Sequence, residues 1–132
     1  MFSQEGLKLI ANNLINNSVL DLCSDANGTT ISGTNYESVT MKFDSNAATK
    51  MFGYDATNDR IYNVQDVWFP DAESNWGTVS HVKISKTTNN VTEVYFIGAL
   101  TSSINVVTGD RIRFNAGDFK ISFTQTNSNN NS

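Results

Sequence analysis

His81 and Cys23 are the only histidine and the only cysteine in the chain, so nucleophile–base chemistry has few places to start. His81 lies in Trp76-Gly77-Thr78-Val79-Ser80-His81-Val82-Lys83-Ile84, and strict alternation puts it on one strand face with Val79 and Lys83. Imidazole catalysis needs a proton donor and an orienting acid within hydrogen-bond reach. Many serines and acids are present, but no motif singles out a pair, so His81 reads as a strand or interface histidine. Cys23, between Leu22 and Ser24, reads as a small buried hydrophobe. A lone cysteine excludes an internal disulfide and a multi-cysteine zinc site, and a lone histidine excludes any site needing two within one chain.

The carboxylates offer little more. Asp25-Ala26-Asn27-Gly28-Thr29 opens like a calcium loop, then places Thr30 where the glycine belongs and Tyr36 where the last acid belongs. A turn is the better reading. Asp55 and Asp59 bracket a polar loop, while Asp66, Asp71 and Glu73 flank an aromatic stretch and have no spacing that marks a glycosidase pair. No catalytic, metal or cofactor site is expected. The aromatics suggest a non-catalytic alternative. Tyr62, Trp68, Trp76 and Tyr95 are candidate interface or glycan contacts, because tyrosine and tryptophan faces stack on sugar rings. Core or subunit-interface packing is the competing role for the same residues.

Composition narrows the classes further. Asn, Ser and Thr number 18, 14 and 14 of 132 residues, charged residues are 17%, and the net charge is -4. Six Lys and three Arg against thirteen acids leave no basic footprint, which argues against nucleic acid as a partner. No apolar run approaches the ~18 residues of a membrane span. Asn12, Asn13, Asn16 and Asn17 interrupt any signal-peptide core, and Phe2 stands where a myristoylated glycine would. Neither membrane insertion nor a leader is expected.

The elements that position these residues follow from the apolar pattern. Leu7, Ile10, Ala11, Leu14 and Ile15 recur at helical spacing after Ser3, predicting a short helix over about 3–16 that Asn16-Asn17-Ser18 stops. From there the period is two. Val39, Met41 and Phe43, then Ile112 and Phe114, then Phe119, Ile121 and Phe123 alternate with polar residues, the mark of strands with one wet face. Residues 60–69 and 91–100 are apolar on both sides in places, as central strands or an interface would be. Turns are expected at Asn27-Gly28, Thr87 to Asn90, Gly109-Asp110 and Ala116-Gly117-Asp118. The expected fold is mainly β, an antiparallel, jelly-roll-like β-sandwich with an N-terminal helix. It forms one domain over 1–125, followed by a disordered Asn/Ser tail over 126–132.

Several segments have a conformational rationale. Pro70 ends a strand because it has no N–H to donate. Gly77 lets the backbone pass beside the Trp76 indole, and Gly98 admits a bulge or a close neighbour. Gly109-Asp110 and Gly117-Asp118 turn the chain on either side of Arg111 to Phe114. Together, Trp76-Gly77-Thr78-Val79-Ser80-His81, then Gly98-Ala99-Leu100, then Gly109-Asp110-Arg111-Ile112-Arg113-Phe114-Asn115-Ala116-Gly117-Asp118 resemble a family of small tailed-bacteriophage virion proteins often labelled tail fibre proteins. The resemblance implies a non-catalytic virion component at the tail fibre, the collar or an adaptor, made in the host cytoplasm. Its implied partners are copies of itself, in a trimer or ring, and other virion proteins. A capsid decoration protein and a glycan- or receptor-binding module of the virion are the alternatives.

Overall fold

The computed structural model describes residues 16–43, 50–55, 57–58 and 60–122. The helix expected over 3–16 and the tail over 126–132 lie outside the described residues, apart from Asn16. Within them the chain is mainly β and antiparallel. Nine strands run in order: β1 Val19–Cys23, β2 Val39–Thr40, β3 Phe52–Asp55, β4 Arg60–Asn63, β5 Val67–Trp68, β6 Gly77–Thr88, β7 Val91–Val106, β8 Arg113–Phe114 and β9 Lys120–Ser122. They form three sheets, ordered β2-β1-β6-β7, β3-β4-β9 and β5-β8.

The turn chemistry is realised where it was expected. Asn89 and Asn90 take φ of 52° and 66°, the two left-handed positions of the tight turn that joins β6 to β7. Gly109 and Gly117 also have positive φ. The Gly109 N–H donates to the Ala72 carbonyl at 2.8 Å, and Asp110 receives the Val107 N–H on its own carboxylate at 3.0 Å. Pro70 is half-buried and directly follows β5 and Phe69.

The glycine that lies against Trp76 is not the one expected. A Cβ on Gly77 would meet nothing within 4 Å; this position needs glycine for its φ of +87°. The glycine against the indole is Gly33, whose Cβ would stand 2.3 Å from Trp76 Cδ1. Gly98 does admit a close neighbour, because the Phe96 ring folds across it and would lie 2.5 Å from an added Cβ.

The small sheets are two lengths of one ribbon. Arg60, Ile61 and Tyr62 pair with Ser122, Ile121 and Lys120, and the Asn63 N–H reaches the Phe119 carbonyl at 3.2 Å. Past a break, Val67 and Trp68 pair with Phe114 and Arg113, and the Phe69 N–H reaches the Ile112 carbonyl at 3.0 Å. Between the two lengths, residues 64–66 oppose 115–118, one residue more on the second strand. That extra residue flips the face. Ile112 lies inside before the break, and Phe119 and Ile121 lie inside after it, so even and odd positions exchange. The first strand keeps its parity, with Ile61, Asn63, Val67 and Phe69 buried and Trp68 exposed.

One core joins all three sheets, running from Leu20, Leu22 and Ile84 to Phe52, Ile61 and Val67. A continuous row of rings threads it. Phe43, Phe52, Phe119, Phe114, Phe69, Tyr36 and Trp76 meet in sequence at centroid separations from 5.3 to 6.4 Å. Edge-to-face and offset pairs of this kind add about 0.5–1.5 kcal/mol each beyond the area they bury.

Candidate functional site

Two surfaces carry the chemistry that the sequence suggested, and the core takes the rest. Trp76 is buried, with its Nε1 donating to the Thr34 carbonyl at 3.1 Å and Tyr36 edge-on at 5.3 Å. As a glycan contact Trp76 is therefore corrected to a core residue. An indole needs a partner for its N–H, and this one finds it inside. The structure does not bring the other three candidates to one place. Tyr95 is the extra residue at a register shift in β7, where Ile84 and Ser85 pair with Phe96 and Val94. Tyr62 is half-buried on β4, opposite Lys120. Trp68 is 41% exposed on β5, with the guanidinium groups of Arg111 and Arg113 at 4.1 and 4.7 Å from its ring. Arg111 is held there by Asp71 at 3.4 Å and by the Phe69 carbonyl at 3.3 Å.

The first surface is the outer edge of the four-stranded sheet. β7 is 16 residues long, roughly 50 Å of extended chain, and its outer side has no strand partner among the described residues. Val91 is 61% exposed and Val94 50%, and Ile97, Ile104 and Val107 are exposed as well. So 91–100, expected to be central or interfacial, is not central. A second irregularity divides the strand, since Val79 pairs with Ile104 and His81 with Ala99, leaving Leu100 to Ser103 opposite Ser80 alone. This bulge also moves His81. Val79 joins Val82 and Ile84 in the core, and the half-buried His81 does not share its face as strict alternation had suggested.

The His81 Nδ1 lies 2.7 Å from Ser80 Oγ, a contact between chain neighbours. A working nucleophile–base pair also needs a third group to orient the ring. Among the described residues no carboxylate hydrogen-bonds to His81. Asp25 ties its own turn instead, receiving the N–H groups of Asn27 and Thr29 at 3.0 and 3.1 Å. Its bonds to Thr29 hold its carboxyl below the usual range. Cys23 is fully buried, and burial raises its thiol above the ordinary value despite the opposing charge of Lys83. The native thiol is accordingly expected to resist a disulfide reagent and to react on addition of denaturant. Stoichiometric labelling of the folded protein would contradict this placement.

The second surface is an open hollow of about 490 Å³ lined by Tyr54, Asp55, Arg60, Tyr62, Gly117 and Lys120. Asp55 and Arg60 pair across the β3–β4 turn at 3.3 Å. Asp55 also receives the Thr57 N–H at 3.0 Å and the Asn58 side-chain amide at 2.8 Å, and the latter bond leads in lowering its carboxyl. Sequence reasoning named Tyr62 but missed Arg60 and Lys120 beside it. Their approach depends on cross-strand register, which no local signal carries. Among the described residues, no group of three or more His, Cys, Asp or Glu side chains could hold a metal ion, and no helix is long and apolar enough to cross a membrane.

Comparison with known proteins adds the remaining finding. A family model described as podophage GP4 fiber I protein gp80 matches residues 19–122, which include the stretch from Trp76 to Asp118. No curated protein and no solved structure matches the chain.

Proposed function

The chain belongs to the podophage GP4 fiber I protein gp80 family, and from that membership we propose a non-catalytic fibre component that works as a symmetric homo-oligomer. The observation that carries the oligomer is the outer edge of β7, which has no strand partner among the described residues. An edge strand presents a row of unpaired N–H and C=O groups, and chains that must stay monomeric put lysine, proline or inward charge along it. β7 has none of the first two and a single charged residue, Glu93. Pairing with a second copy would satisfy that backbone and cover Val91, Val94, Ile97 and Ile104. Cyclic repetition of such contacts closes into a trimer or a ring, which then meets the neighbouring virion proteins. The low charge of the chain suits this arrangement, since charged residues are depleted from interface cores. For the finer architecture, we take the four-stranded sheet and the β3-β4-β9 sheet as the leaves of a jelly-roll-like sandwich around the row of rings.

Light scattering at high micromolar concentration tests the reading. The expected result is a discrete oligomer for the native chain and a monomer for the folded double variant Val94→Lys, Ile97→Lys. A monomeric native chain would overturn the assembly claim. Antibody labelling of particles is expected to mark the tail fibres, and label spread over the capsid would overturn the location.

A further inference from the structure

We infer that the tip of the β6–β7 hairpin of a second copy docks in the groove between β7 and β9. This rests on the assembly reading and gives it a geometry. Two different surfaces meet, so the contact is head-to-tail and its repetition closes a ring. The groove has a volume of about 360 Å³. Consecutive residues line both walls, Gly98 to Ser102 on β7 and Asp118 to Ile121 leading through β9, so strand edges face each other across it. β7 and β9 are outer strands of their sheets, and among the described residues no backbone hydrogen bond joins them. At their other ends the same two sheets are stitched together. There the Met51 and Phe52 N–H groups, at the start of β3, both reach the Lys42 carbonyl just past β2 at 3.0 Å.

The floor of the groove is apolar and partly uncovered. Val82 and Phe119 are buried there, whereas Phe96, Leu100 and Phe114 are half-buried and Ile104 is 44% exposed. Gly98 sets its shape. The Phe96 ring lies across this glycine, so any side chain at 98 displaces a ring that lines the groove. Arg113 and Lys120 stand at the rim against one acid, Asp118. Neither cation has an ion pair among the described residues.

The hairpin tip carries the complement. β1 pairs with β6 only as far as Ser85, so residues 86–93 project beyond it. Val91 is 61% exposed, and Glu93, two residues on, shares its strand face. Glu93 has no ion pair among the described residues, because Lys86 opposite it turns to the Asn16 carbonyl at 3.2 Å. Val91 seated on the apolar floor brings Glu93 to the cations at the rim. A hydrocarbon ligand in its place would leave the edge N–H and C=O groups unpaired, whereas a strand of the second copy offers them partners. Pairing of β7 with β7 would leave the groove and both cations unused.

Light scattering of the protein over a dilution series tests the docking. Glu93→Lys and Lys120→Glu are each expected to raise the midpoint concentration of assembly at least about tenfold, and the double exchange to restore most of the loss. Both positions are exposed, so these variants keep the fold, which circular dichroism verifies. Chains carrying Val91→Cys, mixed with chains carrying Thr101→Cys, are expected to join by a disulfide under mild oxidation. A monomeric native chain would overturn the assembly reading and this docking together. A native oligomer indifferent to both charge reversals would overturn the docking alone. So would a double exchange that recovers nothing, or Val91→Cys chains that link to each other and not to Thr101→Cys.

Discussion

Asn63→Ala is expected to lower the free energy of unfolding by about 4 kcal/mol, a large part of what holds a domain of this size together. Asn63 is fully buried and plugs the break in the ribbon. Its two Nδ2 hydrogens are shared among the carbonyls of Gln65, Phe114 and Asn115, at 2.9, 3.0 and 2.9 Å, and its Oδ1 receives the Phe119 N–H at 2.9 Å. Alanine leaves those backbone groups without the partner that replaced water, and each buried loss costs about 1–3 kcal/mol. Partial exposure around the carbonyls keeps the sum near the lower end. Asn63→Asp should cost at least as much, because it turns the donor into an acceptor that faces carbonyl oxygens. Urea unfolding measures both, with a lowered midpoint and an unchanged slope expected. A change under about 1 kcal/mol would mean that the break closes without this side chain.

Tyr36→Phe is expected to cost about 3 kcal/mol at neutral pH and to flatten the alkaline loss of stability. β2 covers β1 only at Val19 and Leu20. Beyond it, the Ile31 N–H reaches the Leu22 carbonyl at 2.9 Å, and the Leu22 N–H donates to the Tyr36 hydroxyl at 2.9 Å. That hydroxyl in turn donates to Asp21 at 2.7 Å, so it serves as a strand partner and also supplies a hydrogen bond to a buried carboxylate. Phenylalanine removes both bonds. Burial, with the hydrogen bond to Asp21, raises the Tyr36 phenol well above the ordinary tyrosine range. The unfolded chain loses this proton near about pH 10, whereas the folded chain keeps it. Above that pH unfolding releases a proton, so stability falls as pH rises; below it both states hold the proton and the contribution is complete. The native chain should lose up to about 1 kcal/mol per pH unit more than Tyr36→Phe, solvent near the ring reducing the one-proton limit. Parallel stability curves for the two proteins between neutral and strongly alkaline pH would contradict this role.

Much of the framework was legible in the residues. The asparagines at 89 and 90 and the glycines at 28, 109 and 117 take the left-handed conformations that tight turns require. Alternation around Ile112 and around Phe119 marked correct inward faces, although β8 and β9 are only two and three residues long. The candidate sites were less legible. Trp68, Trp76 and Tyr95 are one residue class with three fates: an exposed ring between arginines, a core ring, and a bulge residue. Asn63 was invisible among 18 asparagines, because its distant partners lie 51, 52 and 56 residues away.

By itself, the amino-acid sequence determined the β character, the turn positions and the scarcity of charge. Each of these is a local property, set by backbone sterics and by the period of apolar residues within a few positions. Tertiary structure alone decided which strand is left at the edge, which polar groups go inside, and which cations stand beside Tyr62. These depend on register between distant segments, where one added residue exchanges inside for outside. The bulge opposite Ser80 and the extra residue at 115–118 are such additions. The second leaves a break in the ribbon that Asn63 plugs, and the first sets His81 off the face of Val79.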